Sequence, residues 1–136
     1  MNKERFSLIL RIIISITLFQ TLFFKFTGAP ESVYIFSTLG IEPWGRIGSG
    51  VAELIAIILI LYSPTKVLGA LFSLLIISGA ILSHLFVLGI EIQNDGGLLF
   101  FLANLVFFLS LLVLYIHKEE GKNWILKGRQ YLQSIK

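Results

Sequence analysis

Apolar residues fall in four long runs, at residues 6–26, 45–62, 67–90 and 98–116, with short polar breaks between them. Each run is close to the roughly 20 residues a helix needs to cross the hydrocarbon core of a bilayer. None alternates polar and apolar positions as a barrel strand would. Lipid obliges each segment to satisfy its own backbone polar groups, so all four are predicted to be helices. Ser63-Pro64-Thr65-Lys66 is a tight turn that makes the second and third runs an antiparallel hairpin. Gln93-Asn94-Asp95-Gly96-Gly97 is the turn between the third and fourth; it contains glycines but lacks the phosphate-loop pattern. Between the first two runs, Pro30 suits a first helical turn and Gly40 suits the position just past a helix end. Residues 30–39 therefore read as a short helix, lying on the outer surface or tucked back into the bundle.

The pattern changes after residue 117. At 100° per residue, Trp124, Ile125, Tyr131, Leu132 and Ile135 fall in an arc of about 120°. Lys122, Lys127, Arg129, Gln133 and Lys136 lie outside it, and Leu126 is the exception. Residues 118–136 are thus a basic amphipathic tail, predicted to be an interfacial helix on anionic lipid. Gly121 and Gly128 weaken that helix. The fold class is all-α: a membrane four-helix bundle over residues 1–117, with a short outer-loop helix, followed by this C-terminal helix.

Composition supports the same class. Of 136 residues, 56% are hydrophobic and 14% charged, and mean hydropathy is +0.88. A soluble domain is about 45–50% apolar and about 25% charged, and one this small could not hide so much apolar surface. Soluble globule, disordered chain and collagen are disfavoured. There are no cysteines, which excludes disulfides, redox CxxC pairs, thiolate metal sites and a cysteine nucleophile.

Charge gives orientation. Lys3, Arg5, Arg11, Lys66, Lys118, Lys122, Lys127, Arg129 and Lys136 gather on one side, and only Lys25 and Arg46 lie towards the other. The positive-inside rule then places both termini in the cytoplasm. Glu31, Glu42, Glu91 and Asp95 face the opposite side. Arg11 is expected to snorkel to the cytoplasmic headgroups, and Trp44 to sit at the outer interface. The first run is too long for a signal peptide, carries Arg11, and has Pro30 after its only small-residue site, Gly28-Ala29, so it is predicted to stay attached. The net charge of +3 comes mostly from the two ends, which argues against a nucleic-acid-binding face.

Ionisable and amide groups inside a membrane are costly and each needs a reason. Counting about 1.5 Å per residue, Gln20, Lys25, Glu53, His84 and Asn104 all fall in the outer half. Thr17, Thr21, Lys25 and Gly28 share one face of the first span. Gly69, Ser73, Ala80 and His84 share a face of the third. Gly45, Ser49, Ala52 and Ala56 form a small-residue stripe on the second, with Glu53 at its edge. Glu53 needs protonation or a partner, which Lys25, Arg46 or His84 would supply. It reads either as a structural ion pair or as a substrate or proton site. Lys25 reads as a snorkelling lysine or a pocket residue, and His84 as an interhelical hydrogen bond or a pocket residue. Gln20 and Asn104 read as interhelical glue or ligands. Bis-histidine haem is disfavoured, because His117 lies a bilayer's thickness from His84. No second His or Asp joins His84 in a metal site.

These residues resemble the DoxX-like family of small four-helix membrane proteins. The resemblance is carried by Lys25-Phe26-Thr27-Gly28, Phe36-Ser37-Thr38-Leu39-Gly40, Gly48-Ser49-Gly50-Val51-Ala52-Glu53-Leu54, Gly69-Ala70, and Ala80 with His84. It covers residues 6–116 and leaves out the tail. It implies a bacterial-type plasma membrane protein. Members are tied to quinone-linked thiosulfate oxidation and membrane oxidoreductase complexes, and related branches to assembly or chaperoning of membrane proteins. Only Lys25, Glu53 and His84 are carried over, and the missing cysteines exclude the thiol–disulfide mechanism of similarly shaped enzymes. The leading expectation is a membrane oxidoreductase subunit with a quinone or similar small hydrophobic partner in the outer-half pocket and no covalently bound cofactor. The alternative is a non-catalytic scaffold, assembly factor or chaperone. Membrane lipid, a redox or membrane protein and a second copy are the expected partners.

Overall fold

The computed structural model describes residues 2–135, which are helical nearly throughout, with no strand among them. Lys136, counted in the charge tally, lies outside the described residues. Helix α1 spans Lys3–Thr27, α2 Pro30–Thr38, α3 Trp44–Leu61, α4 Lys66–Ser83, α5 Leu98–Ile116 and α6 Lys118–Ser134. Four segments are long and apolar enough to cross a membrane: Lys3–Thr27, Trp44–Leu61, Ser63–Leu88 and Leu98–Ile116.

Helix α1 packs against α3 and α5, and α4 packs against the same two, so the four long helices close a ring. One end of the ring carries the α1–α2 junction and the turn before α5; we call it the loop end. The other carries the described start of α1 and the start of α6, and is the terminal end. Leu10, Ile14, Leu18 and Leu22, spaced four apart, form the inward stripe of α1. They meet Ala56 and Ile60 of α3, Ala70 and Ile77 of α4, and Ala103, Val106 and Val113 of α5. Ser7, Ser73 and Ser110 are fully buried, while Ile16, Phe19, Ile58, Leu75, Phe101 and Phe108 face outward. Large apolar side chains thus line both the interior and the exterior, and the small buried residues among them let the helices approach closely.

Local chemistry fixes the element ends. The Asn2 side chain accepts the Arg5 N–H at 2.9 Å and starts α1. Gly28 ends it at φ 67°, with the Ala29 N–H on the Phe24 carbonyl at 3.0 Å. Pro30 begins α2 as expected, and Gly40 follows its end at φ 74°. Asp95 accepts the N–H groups of Ile92, Gly97 and Leu99 at 2.8–3.0 Å, binding the polar turn to the start of α5. Helix α6 is present as expected. Its apolar side chains, Trp124 among them, and its basic Lys127 and Arg129 are all exposed.

Two expectations are corrected. The third run is not one continuous α-helix: it changes at His84 to a single π turn, His84–Leu88. The Gly89 N–H reaches back to the His84 carbonyl at 2.8 Å, and φ 84° at Gly89 then ends the helix. Arg11 does not snorkel. It is 3% exposed, and its Nη1 donates to the Ile60 carbonyl at 3.2 Å. Four residues beyond Ile60 stands Pro64, which has no N–H to complete the helical bond. The orphaned carbonyl, at the negative end of α3, draws the guanidinium inward.

Candidate functional site

At the loop end, Lys25 and Glu53 form an ion pair between α1 and α3. Glu53 is 3% exposed and Lys25 15%. The second carboxylate oxygen of Glu53 accepts the Thr21 hydroxyl at 3.1 Å. The four-residue step from Thr21 to Lys25 puts both on one face of α1, opposite Glu53. Gly50, one turn before Glu53, is buried against the Phe26 ring and the Lys25 stem, so α3 approaches α1 closely here. Helix α2 tucks back over this end with Ser32 and Phe36 buried, and the Lys25 ammonium lies 5.8 Å from the centre of the Phe36 ring. That distance suits a cation–π contact.

Arg46 is not a partner of Glu53. It grips Glu42 through Nε at 2.8 and 3.0 Å and Nη2 at 2.7 Å, and its Nη1 donates to the Lys25 carbonyl at the end of α1. The guanidinium thus ties the loop before α3 to the helix bearing Lys25, a use the sequence reading missed. The signal was present in the four-residue step from Glu42 to Arg46.

The other expected site residues do not join the pair. His84 is buried, but its Nδ1 donates to the Gly89 carbonyl at 2.8 Å, and its ring meets Phe100 of α5 edge-on at 5.5 Å. These contacts set its ring against α5 and the end of its own helix, outside the Lys25–Glu53 pair. Asn104 donates to the Phe100 carbonyl of its own helix at 2.8 Å. It borders a groove of about 320 Å³ between α4 and α5, with Ser78 and Phe108. Gln20 borders another groove, of about 410 Å³, between α1 and α3. Trp44 is exposed at the start of α3.

A second polar cluster lies at the terminal end and was not expected. His117, the single residue between α5 and α6, is 1% exposed. Its Nδ1 donates to Glu120 at 2.7 Å, which leaves Nε2 to accept the Ser7 hydroxyl at 2.7 Å. Lys66 lies 3.2 Å from Glu4 and 3.2 Å from Glu120. Glu4, His117 and Glu120 could together face a metal ion, but the Lys66 ammonium already contacts both carboxylates. The cluster ties α1, α4 and α6 together. Ser7 and His117 lie 110 residues apart in the chain, so no local spacing announces it.

Burial pushes the Glu120 carboxyl up, but hydrogen bonds with His117 and Lys66 and the charge of Lys66 outweigh it and hold the group below its ordinary range. Asp95 behaves alike: burial raises it, and its three backbone N–H donors more than reverse the effect. A carboxyl depressed in the folded state stabilises the fold above its unfolded value, about 4 for such groups, and loses that contribution as pH falls through the depressed value. Thermal midpoints measured from neutral pH downward should therefore fall below about pH 4, and less steeply in Glu120→Gln. Parallel profiles for the two proteins would show that Glu120 is not a source of the acid sensitivity.

No family model, no curated protein and no solved structure matches this chain.

Proposed function

We propose that this chain is a DoxX-like integral membrane protein of a bacterial-type plasma membrane and serves an oxidoreductase system as its membrane subunit. In this reading the four apolar segments cross the bilayer, both termini are cytoplasmic, and the loop end is the outer end. Helix α6 lies along the inner lipid surface. Gly121, at the middle of its apolar arc, meets Val67 of α4, which turns that arc toward the bundle and the adjoining lipid.

The observation that carries the functional reading is the Lys25–Glu53 pair with Thr21, beneath Phe36. A buried ion pair is seldom the most stable way to fill such a space, and an ionisable residue inside a membrane is by default a functional one. A quinone or similar small hydrophobic partner would enter beside α2. The Lys25 ammonium would donate to its carbonyl oxygen, and Glu53 would hold that ammonium in place and exchange protons with it.

A short-chain quinone at a hundredfold excess over its Kd should stabilise the purified protein by about 2.7 kcal/mol, read as a rise in thermal midpoint. The rise should be lost in Glu53→Gln. No rise in the wild type, or an equal rise in a Glu53→Gln, His84→Ala double variant, defeats the quinone reading. It would leave the second one, a non-catalytic scaffold or assembly factor. That reading is favoured by His84, whose Nδ1 is satisfied by Gly89 rather than aimed at the pair. It predicts a co-purifying membrane protein.

A further inference from the structure

Two threonines on the inner face of α1 have partners. Thr17 donates to the Ile13 carbonyl at 3.0 Å, and Thr21 shares its one hydroxyl proton between the Leu18 carbonyl and Glu53. Gln20 lies off that face and is exposed, and its amide has no partner among the described residues. Its neighbours one turn away, Ile16, Phe23 and Phe24, are all exposed. At 100° per residue they belong to an arc of about 160° running through Leu8, Ile9, Ile12, Ile13 and Phe19, and between Leu8 and Phe24 Gln20 is the one polar residue in it. The groove beside it, about 410 Å³ between α1 and α3, is also walled by Ser15, Ile57 and Leu61. Ser15 is 6% exposed, and its buried hydroxyl too lacks a partner.

A carboxamide facing hydrocarbon has nothing to bond to, and leaving such a group unsatisfied costs several kcal/mol in lipid. We propose that α1 packs against α1 of a second copy across a two-fold axis, with the two Gln20 amides hydrogen-bonded to each other. This rests on the reading that α1 crosses a membrane. A second copy is the occupant for two reasons. An amide carries both donor and acceptor, so it complements itself. Two copies inserted in the same sense also place Gln20 at the same depth, as an isologous interface requires. The ridge of Ile16, Phe19 and Phe23 on one copy then lies over the groove of the other.

The chain has no cysteine, so a single Ile16→Cys substitution gives a clean reporter for oxidative cross-linking in native membranes. The expected adduct has twice the 15.3 kDa chain mass. Phe108→Cys, on the outward face of α5, should give none. Adding Gln20→Leu should weaken dimerisation about tenfold, the effect of one interhelical amide hydrogen bond in model peptides. Gln20→Asn, which keeps the amide, should preserve the adduct. No adduct at Ile16, an adduct of another mass, or one indifferent to Gln20→Leu overturns the proposal. An alkaline wash of the same membranes separates the two readings. A chain that stays with the lipid but does not cross-link defeats the dimer alone, and a chain that washes off defeats both.

Discussion

Replacing Lys25 with Met should cost about 3–5 kcal/mol of stability, the usual penalty for removing one member of a buried ion pair. Glu53 is then left 3% exposed with only the Thr21 hydroxyl to receive. Its side chain is too short to reach solvent, because it projects from the middle of α3 toward α1. The reverse substitution is not equivalent. In Glu53→Leu the Lys25 ammonium is already 15% exposed and sits on a four-carbon stem at the last turn of α1. It can swing outward past Phe36, so the cost should be well below that of Lys25→Met. Removing both charges together, in Lys25→Met with Glu53→Leu, should recover most of the loss, since apolar replacements of buried pairs are often neutral. Thermal unfolding of the two single variants and the double completes a mutant cycle. A double variant as damaged as the sum of the singles would mean the two side chains contribute independently.

The four long helices were legible because their signal is local: apolar runs of bilayer length need no knowledge of neighbours. The end signals were legible too. Pro30, Gly40 and Asp95 act through their own turns. The pairing of Lys25 with Glu53 followed from comparing depths along two helices, which uses only the rise per residue. His84 was grouped with the pair on depth and on the face it shares with Gly69, Ser73 and Ala80. An inward face does not say which neighbouring helix it meets: His84 keeps the α-helical register of α4 and its ring lies against Phe100 of α5, while the π turn, which nothing in His84-Leu85-Phe86-Val87-Leu88 marks, re-registers only the residues after it.

Arg11 and His117 were misjudged or overlooked for a common reason. Each is buried by a group contributed from elsewhere in the chain. Arg11 needs the Ile60 carbonyl, left free by Pro64. His117 needs Ser7 from the far end of the sequence. The Lys and Arg count assigns Arg11 to the cytoplasmic side and position along the fourth run assigns His117 there, but neither says whether the side chain points outward or to the core. The proline in the turn was visible, and the carbonyl it orphans could have been counted. That accounting, run backward from a missing N–H, is the step that would have found the Arg11 contact.

Gly69→Ala should be severely destabilising, by more than the roughly 1–3 kcal/mol typical of overpacking, although Ala is the better helix former. A Cβ at Gly69 would overlap the backbone of Leu59 and Ile60. Backbone cannot turn aside as a flexible side chain can, so α3 and α4 would have to separate. Ile60 is itself fully buried, and its carbonyl holds Arg11. Moving α3 outward therefore withdraws the acceptor from a buried guanidinium whose Nε already lacks a partner. The steric and the polar penalties fall together, because the same few atoms of α3 serve both contacts. Gly79, nearly three turns further along α4, is the control: it is exposed, and a methyl group there would meet nothing within 4 Å. Gly79→Ala should be neutral or stabilising by up to about 1 kcal/mol. Comparing the two thermal midpoints isolates the close approach from helix propensity. If Gly69→Ala matched Gly79→Ala, the α3–α4 contact would be looser than the structure places it, and Arg11 would be free to leave Ile60.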